Sequence, residues 1–377
     1  MTPSSSPLRP LVDDLARLAA IDRRRALLPI RGRDFASNDY LGLAGAPVLA
    51  QAATDAIARG VPVGAGGSRL LRGNHAEHEA LEAEAAALFG SESALWFSSG
   101  FAANAALLAT LPQRGDLIVH DALVHASAHD GMRLARAPAT AAAHNDAQGF
   151  DDAIARWRAA GGKGTPWIAV ESLYSMDGDR APLPELAQVA ARHDAVLLID
   201  EAHATGVFGP QGRGLAAALE GQPNVVTLRT CGKALGCEGA LVCGPAVVRD
   251  FLVNRARGFI FSTAPSPLMA AAVRAALRVL ADEPERQAAL HALMAEAEAL
   301  LAPPGVRATG SQILPLIVGG DGAAMRLASG LQARGFDVRG IRPPTVPPGT
   351  ARLRISLTLN VTRDDVAALA EALGELS

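Results

Sequence analysis

Ala195-Val-Leu-Leu-Ile-Asp-Glu-Ala-His203 decides the fold. Five apolar residues in a row, four of them branched, make a strand buried on both faces. The run then stops on a carboxylate, with an imidazole three residues on. Similar short runs recur on either side: Ala94-Leu-Trp-Phe97, Leu117-Ile-Val119, Trp167-Ile-Ala-Val170, Asn224-Val-Val-Thr-Leu228 and Gly239-Ala-Leu-Val-Cys243. Between them lie helical patterns such as Leu183-Pro-Glu-Leu-Ala-Gln-Val-Ala-Ala-Arg192. Such alternation predicts an α/β fold, with a mostly parallel sheet covered by helices on both faces.

After about Pro267 the texture changes to long Ala/Leu-rich helices, including residues 283–301, an isolated strand and a final helix. We expect an N-terminal helical segment over 1–40, a large domain over 41–267 and a smaller α+β C-terminal domain over 268–377. In the last of these, Arg352-Leu-Arg-Ile-Ser-Leu-Thr-Leu359 alternates strictly, so Arg352 and Arg354 share the face opposite the apolar residues. The last helix is announced by Thr362 as N-cap and Asp365 in its first turn, with Val361 and Val366 placed as a staple.

A chain of 377 residues has ample length for a large core. Its net charge of -3 points to no nucleic-acid or membrane-surface partner. No apolar run approaches the roughly 20 residues of a membrane helix, and Met1 to Pro10 lacks a secretory pattern, so a cytoplasmic protein is expected. Cys231, Cys237 and Cys243 fit neither a disulfide framework nor paired metal spacing and read as buried thiols. The pairs His75/His78 and His125/His129 lack a third ligand nearby, so no metal is expected.

Lysine usage is informative. Of 35 basic residues only Lys163 and Lys233 are lysine. A guanidinium neither loses its proton near neutrality nor condenses with an aldehyde, whereas an amine does both. Lys163 lies in Gly161-Gly-Lys-Gly164, a loop tip, whereas Lys233 follows a strand in Thr230-Cys-Gly-Lys233.

In open parallel sheets, ligands bind beyond the carboxyl ends of the strands. Four such ends carry chemistry in order here. Ser98-Ser-Gly-Phe-Ala-Ala-Asn104 opens a helix whose N-terminus suits a phosphate. His125 follows the next strand, then Asp200 and His203, then Thr230 and Lys233. An amine that forms an imine, a carboxylate that keeps a pyridine nitrogen protonated, an imidazole for a phenolic oxygen and a phosphate loop together fit pyridoxal phosphate. The stretch Gly64-Ala-Gly-Gly67 lacks the spacing of a dinucleotide turn.

These residues resemble the alpha-oxoamine synthases, a family of fold-type-I pyridoxal-phosphate-dependent transferases. The resemblance covers about Ser37 to Leu359, and is carried by Ser37-Asn-Asp-Tyr-Leu-Gly-Leu43, Gly64-Ala-Gly-Gly-Ser-Arg69, Ser99-Gly-Phe-Ala-Ala-Asn104, Ser175-Met-Asp-Gly-Asp179, Asp200-Glu-Ala-His-Ala-Thr-Gly206, Thr230-Cys-Gly-Lys233 and Arg342-Pro-Pro-Thr345. It implies that Lys233 is the imine lysine, that Asp200 pairs with the pyridine nitrogen, and that His203 contacts the ring oxygen. It further implies that His125 stacks on the ring, Ser175 positions it, Gly100 and Phe101 line the phosphate loop, and Thr230 binds phosphate. Arg354 would hold the amino-acid carboxylate, aided by Asn38, with Thr345 on the substrate. The resemblance also implies a substrate arginine within Arg23-Arg-Arg25, and the spacing to Pro29 favours Arg25.

The family condenses an amino acid with an acyl thioester and loses carbon dioxide. Arg342-Pro-Pro-Thr345 looks like its branch that joins L-alanine to a pimeloyl thioester, carried by CoA or an acyl carrier protein. The sibling branches pair glycine with acetyl-CoA or succinyl-CoA. A homodimer is implied by the same resemblance. Two departures stand beside the lysine: Cys231 where an aromatic is frequent, and Glu238 where a small residue is.

Overall fold

The computed structural model describes residues 6–376. The chain divides into two compact units, one of residues Asn38–Ser175 and Asp179–Ala289, the other of Leu290 onward together with the segment ending at Ser37 and with Met176–Gly178.

The larger unit is built on seven strands: β1 (Ser93–Phe97), β2 (Leu117–Asp121), β3 (Ala139–Ala142), β4 (Pro166–Glu171), β5 (Val196–Asp200), β6 (Val225–Thr230) and β7 (Ala240–Gly244). Their order is β1-β7-β6-β5-β4-β2-β3. Pairing is parallel from β3 through β6, while β7 runs antiparallel to both β6 and β1. All six runs singled out in the sequence are strands. Missing from that set is β3, whose Ala-Thr-Ala-Ala carries little strand signal and lies at the sheet's edge.

Period-two alternation explains the layers. Ile118, Ala169, Leu198 and Val226 turn to a core shared with Leu107, Leu108 and Met132 of the helices Gly100–Thr110 and Ala126–Leu134. Their neighbours Val119, Ile168, Leu197 and Val225 turn to the other face, against Phe150, Ile154, Leu186 and Val189. Both faces are therefore dry, and burying each large aliphatic side chain contributes about 1.5–3 kcal/mol.

In the other unit, three antiparallel strands, β8 (Ile313–Gly319), β9 (Arg339–Ile341) and β10 (Ala351–Ser356), are ordered β9-β10-β8. The final helix, Arg363–Leu376, starts as expected: Thr362 N donates to Asp365 Oδ2 at 2.9 Å and Asp365 N to Thr362 Oγ1 at 3.2 Å.

The two compact units differ from the expected domain limits on two points. The helix Pro267–Asp282 belongs to the larger unit, because Ala270, Ala271 and their neighbours pack on helices Pro47–Ala58 and Ala76–Phe89. Among its described residues the N-terminal segment is helical only over Arg9–Ala20, and residues 23–32 carry no regular structure. On β10, Arg352 and Arg354 are both buried.

Candidate active site

Lys233 hangs from the connection between β6 and β7. That connection closes on itself: Cys231 N donates to Gly239 O, Cys237 N to Cys231 O and Gly236 N to Lys233 O, each at 2.8 Å. Two glycines let neighbouring chain approach it. Gly206 has φ +82°, and a Cβ there would lie 2.6 Å from Ala234 Cβ. At Gly236, φ +64°, a Cβ would fall 2.4 Å from Ala44 N. Any side chain at either position pushes the lysine loop outward.

From this loop the Lys233 Nζ reaches His203 Nε2 at 2.9 Å. His203 is buried, and its Nδ1 lies 2.6 Å from the Tyr40 hydroxyl, which donates in turn to Asn38 Oδ1 at 2.9 Å.

Asp200 ends β5 with both oxygens held. Oδ1 accepts from Ala202 N at 2.9 Å and Oδ2 from Asn104 Nδ2 at 3.1 Å. Burial raises its carboxyl above the usual range, opposed by the charge of Lys233. That opposition places amine and acid in one electrostatic site. Next to it on β4, Glu171 is buried and raised well above the carboxylate range, by burial first and then by Asp200.

The same Asn104 Nδ2 donates to Ser127 Oγ at 3.1 Å, and Ser127 Oγ lies 2.8 Å from His125 Nδ1. Because Ser127 N also donates to that nitrogen, at 3.2 Å, Nδ1 is an acceptor and neutral His125 carries its proton on Nε2. Its pKa is lowered by burial, raised by Asp200 and lowered again by Lys233. The imidazole is therefore held neutral, with the Phe101 ring edge-on at 6.4 Å between centroids.

The phosphate end is a helix N-terminus. Ser99 caps Gly100–Thr110 by accepting from Ala102 N at 3.1 Å, and a Cβ on Gly100 would meet Thr230 Oγ1 at 3.4 Å. Backbone donors and the Thr230 hydroxyl thus share one small cradle that any residue but glycine would narrow. An amine for an aldehyde, a carboxylate for a ring nitrogen, an imidazole beside that amine and this cradle match the functional groups of pyridoxal phosphate.

Ser175 is held from the same unit, its N donating to Glu171 Oε2 at 3.3 Å. Arg25, Thr345 and Arg354 belong to the other unit. There Arg25 Nη2 donates to Thr345 Oγ1 at 3.2 Å, whereas Arg23 pairs with Asp321 at 2.6 Å. Arg352 Nη1 is engaged by Asp177 Oδ1 at 2.6 Å, while Arg354 Nη1 donates to Ser356 Oγ at 2.6 Å. Sequence reasoning did not assign roles to Tyr40, Asn104, Ser127 or Glu171. Glu171 was within reach, since it ends the apolar run Trp167–Val170 as Asp200 ends its own.

Residues 32–373 match the family described as "Aminotransferase class I and II". The chain belongs to that family. Among curated proteins it is similar to the 8-amino-7-oxononanoate synthase of Anaeromyxobacter dehalogenans, 45% identical over 362 residues, covering 91% of this chain and 90% of the relative. That of Mycolicibacterium smegmatis is 42% identical and covers 98% and 97%. Among solved structures, a serine palmitoyltransferase from S. paucimobilis with a bound pyridoxal-phosphate–myriocin adduct aligns with TM-score 0.89 at 25% identity, over 98% of this chain and 97% of that one. An 8-amino-7-oxononanoate synthase from Francisella tularensis aligns with TM-score 0.77 at 28% identity, over 91% and 97%. The expected fold-type-I transferase architecture is confirmed by these alignments.

Proposed function

We propose that this chain is an 8-amino-7-oxononanoate synthase that joins L-alanine to a pimeloyl thioester and releases thiol and carbon dioxide, a step of biotin biosynthesis. The observation that carries it is the placement of Lys233 Nζ, 2.9 Å from His203 Nε2 and in the field of Asp200, in a chain so similar to synthases of that name.

Pyridoxal phosphate, when bound, supplies an aldehyde carbon for an amine and a protonated ring that withdraws electrons. The chain's residues do the rest. Asp200, its oxygens fixed by Ala202 and Asn104, would keep a proton on the ring nitrogen. Lys233 would hold the cofactor's aldehyde carbon and, as a free amine, would take the alanine α-proton; His203 Nε2 lies 2.9 Å from Lys233 Nζ. His125 holds its proton on Nε2 and delivers it as acid after the thiol has left. Asn104 ties the two ends together by donating both to Asp200 and to Ser127. Ser175 helps position the ring. Arg354 binds the alanine carboxylate with Asn38, and Arg25 and Thr345 contact the acyl substrate.

We further infer a homodimer that takes its acyl group from CoA or from an acyl carrier protein. Among the described residues no helix is long and apolar enough to cross a membrane.

Purified protein loaded with pyridoxal phosphate is expected to release free thiol and carbon dioxide from pimeloyl-CoA plus L-alanine. Thiol release with glycine and acetyl- or succinyl-CoA, and none with the pimeloyl donor, overturns the assignment in favour of a sibling reaction. Absence of a cofactor absorbance band overturns the whole proposal.

A further inference from the structure

We propose that Tyr40 is a positioning residue of this site: acting through His203, it fixes that imidazole as the Nδ1–H tautomer and so makes Nε2 a standing proton acceptor for Lys233. The argument is a count of protons. A phenol has one hydrogen to give, and the Tyr40 hydroxyl donates it to Asn38 Oδ1 at 2.9 Å. Its 2.6 Å contact with His203 Nδ1 then has a proton only if that nitrogen supplies it. A neutral imidazole protonated on Nδ1 bears a lone pair on Nε2, and there Lys233 Nζ lies at 2.9 Å. Tyr40 is fully buried and His203 nearly so, so water does not stand in for a missing partner at low cost.

The chain Asn38–Tyr40–His203–Lys233 therefore has one direction, with every donor pointing away from the lysine. When Lys233 gives up a proton, that proton leaves Nζ for Nε2, and the resulting imidazolium keeps its Nδ1–H on the tyrosine oxygen. The amine is left neutral, with its lone pair available. No oxidant or further reactant is needed. The inference rests on the assignment of Lys233 as the cofactor lysine and goes beyond it by giving Tyr40 a role.

Lys163 and Lys233 are the only lysines, and Lys163 is exposed on a loop. In a Lys163→Arg background, Lys233 is thus the one side-chain amine, and its acylation by acetic anhydride can be followed against pH by peptide mass in cofactor-free full-length protein. Asp200, Glu171 and His125, titratable groups that also interact with it, lie at or just beyond strand ends and are the same in both proteins. Tyr40→Phe is expected to move the midpoint of that curve down by about half a pH unit, since the ammonium loses its best acceptor. Nitrogen-15 NMR of labelled histidine, with the His203 signals found by their loss in His203→Gln, is expected to show Nδ1 protonated in the parent and a mixture in Tyr40→Phe. An unchanged midpoint or an unchanged tautomer in the variant overturns the proposal. If Tyr40→Phe does not fold, the parent spectrum decides, since a proton on His203 Nε2 overturns it and one on Nδ1 upholds it. Neither measurement involves alanine or an acyl donor, so failure of the substrate assignment leaves both intact. Loss of cofactor binding at Lys233 would be seen separately by mass after borohydride reduction.

Discussion

Glu171 and Asp200 are register partners at the carboxyl ends of β4 and β5, two acids side by side facing the lysine loop. Two buried carboxylates so placed do not both ionise easily, and the nearby Lys233 charge favours ionisation. Burial raises both carboxyls, Asp200 raises Glu171 further and Lys233 opposes the shift at Asp200, so a proton shared by the pair favours Glu171.

Glu171→Gln, which copies the protonated form, is accordingly expected to retain kcat/KM within about tenfold, whereas Asp200→Asn loses at least about a hundredfold. The sign for stability follows. An acid raised in the folded state stabilises least at high pH, because the unfolded chain releases its proton first. Relative to the parent, Glu171→Gln should gain stability as pH rises above the unfolded value near 4.5, as read from urea unfolding at pH 5 and pH 8. A constant difference across that window would contradict a protonated Glu171.

His144 bridges Asp121 Oδ1 at 2.9 Å and Asp179 Oδ2 at 2.8 Å, with the Tyr174 ring edge-on at 4.4 Å. Burial disfavours its charge, but the bonds to the two carboxylates outweigh it and push the imidazole up to about 10. A histidine raised in this way contributes fully below the unfolded value of 6.5 and fades as pH climbs toward 10. His144→Ala should cost about 2–3 kcal/mol at pH 6 and markedly less at pH 9.5, measured by chemical denaturation.

Arg352 and Arg354 share one face of β10 but differ in partner. Arg354→Ala is expected to raise the KM for the amino acid by about a hundredfold, while Arg352→Ala lowers the melting temperature by several degrees through loss of the Asp177 contact. The reverse pattern in steady-state kinetics would assign the carboxylate to Arg352.

Thr230→Val keeps shape and removes the hydroxyl beside Gly100. Cofactor affinity, titrated by absorbance, should fall about tenfold while saturating cofactor restores most turnover.

Much of this was legible in the chain because burial on two faces forces continuous apolar runs, and because a nucleophilic amine is conspicuous among 33 arginines, the 35 basic residues less two lysines. The edge strand Ala139–Ala142 was not, since small residues at a sheet margin need neither branching nor alternation. Nor did spacing between Arg352 and Arg354 reveal which of them pairs with Asp177, some 175 positions away from Arg352. The tautomer of His203 was equally hidden, because it follows from Tyr40, distant in sequence, and from a hydroxyl's single proton.

The closed loop between β6 and β7 also bears on turnover. Both of its legs are rooted in the sheet and its crossing bonds are short, so the backbone under Lys233 is an anchored pivot. An amine that must let go of one carbon, collect a hydrogen and return to its berth in every cycle travels on its methylene stem alone. Such a tether resets without refolding anything beneath it.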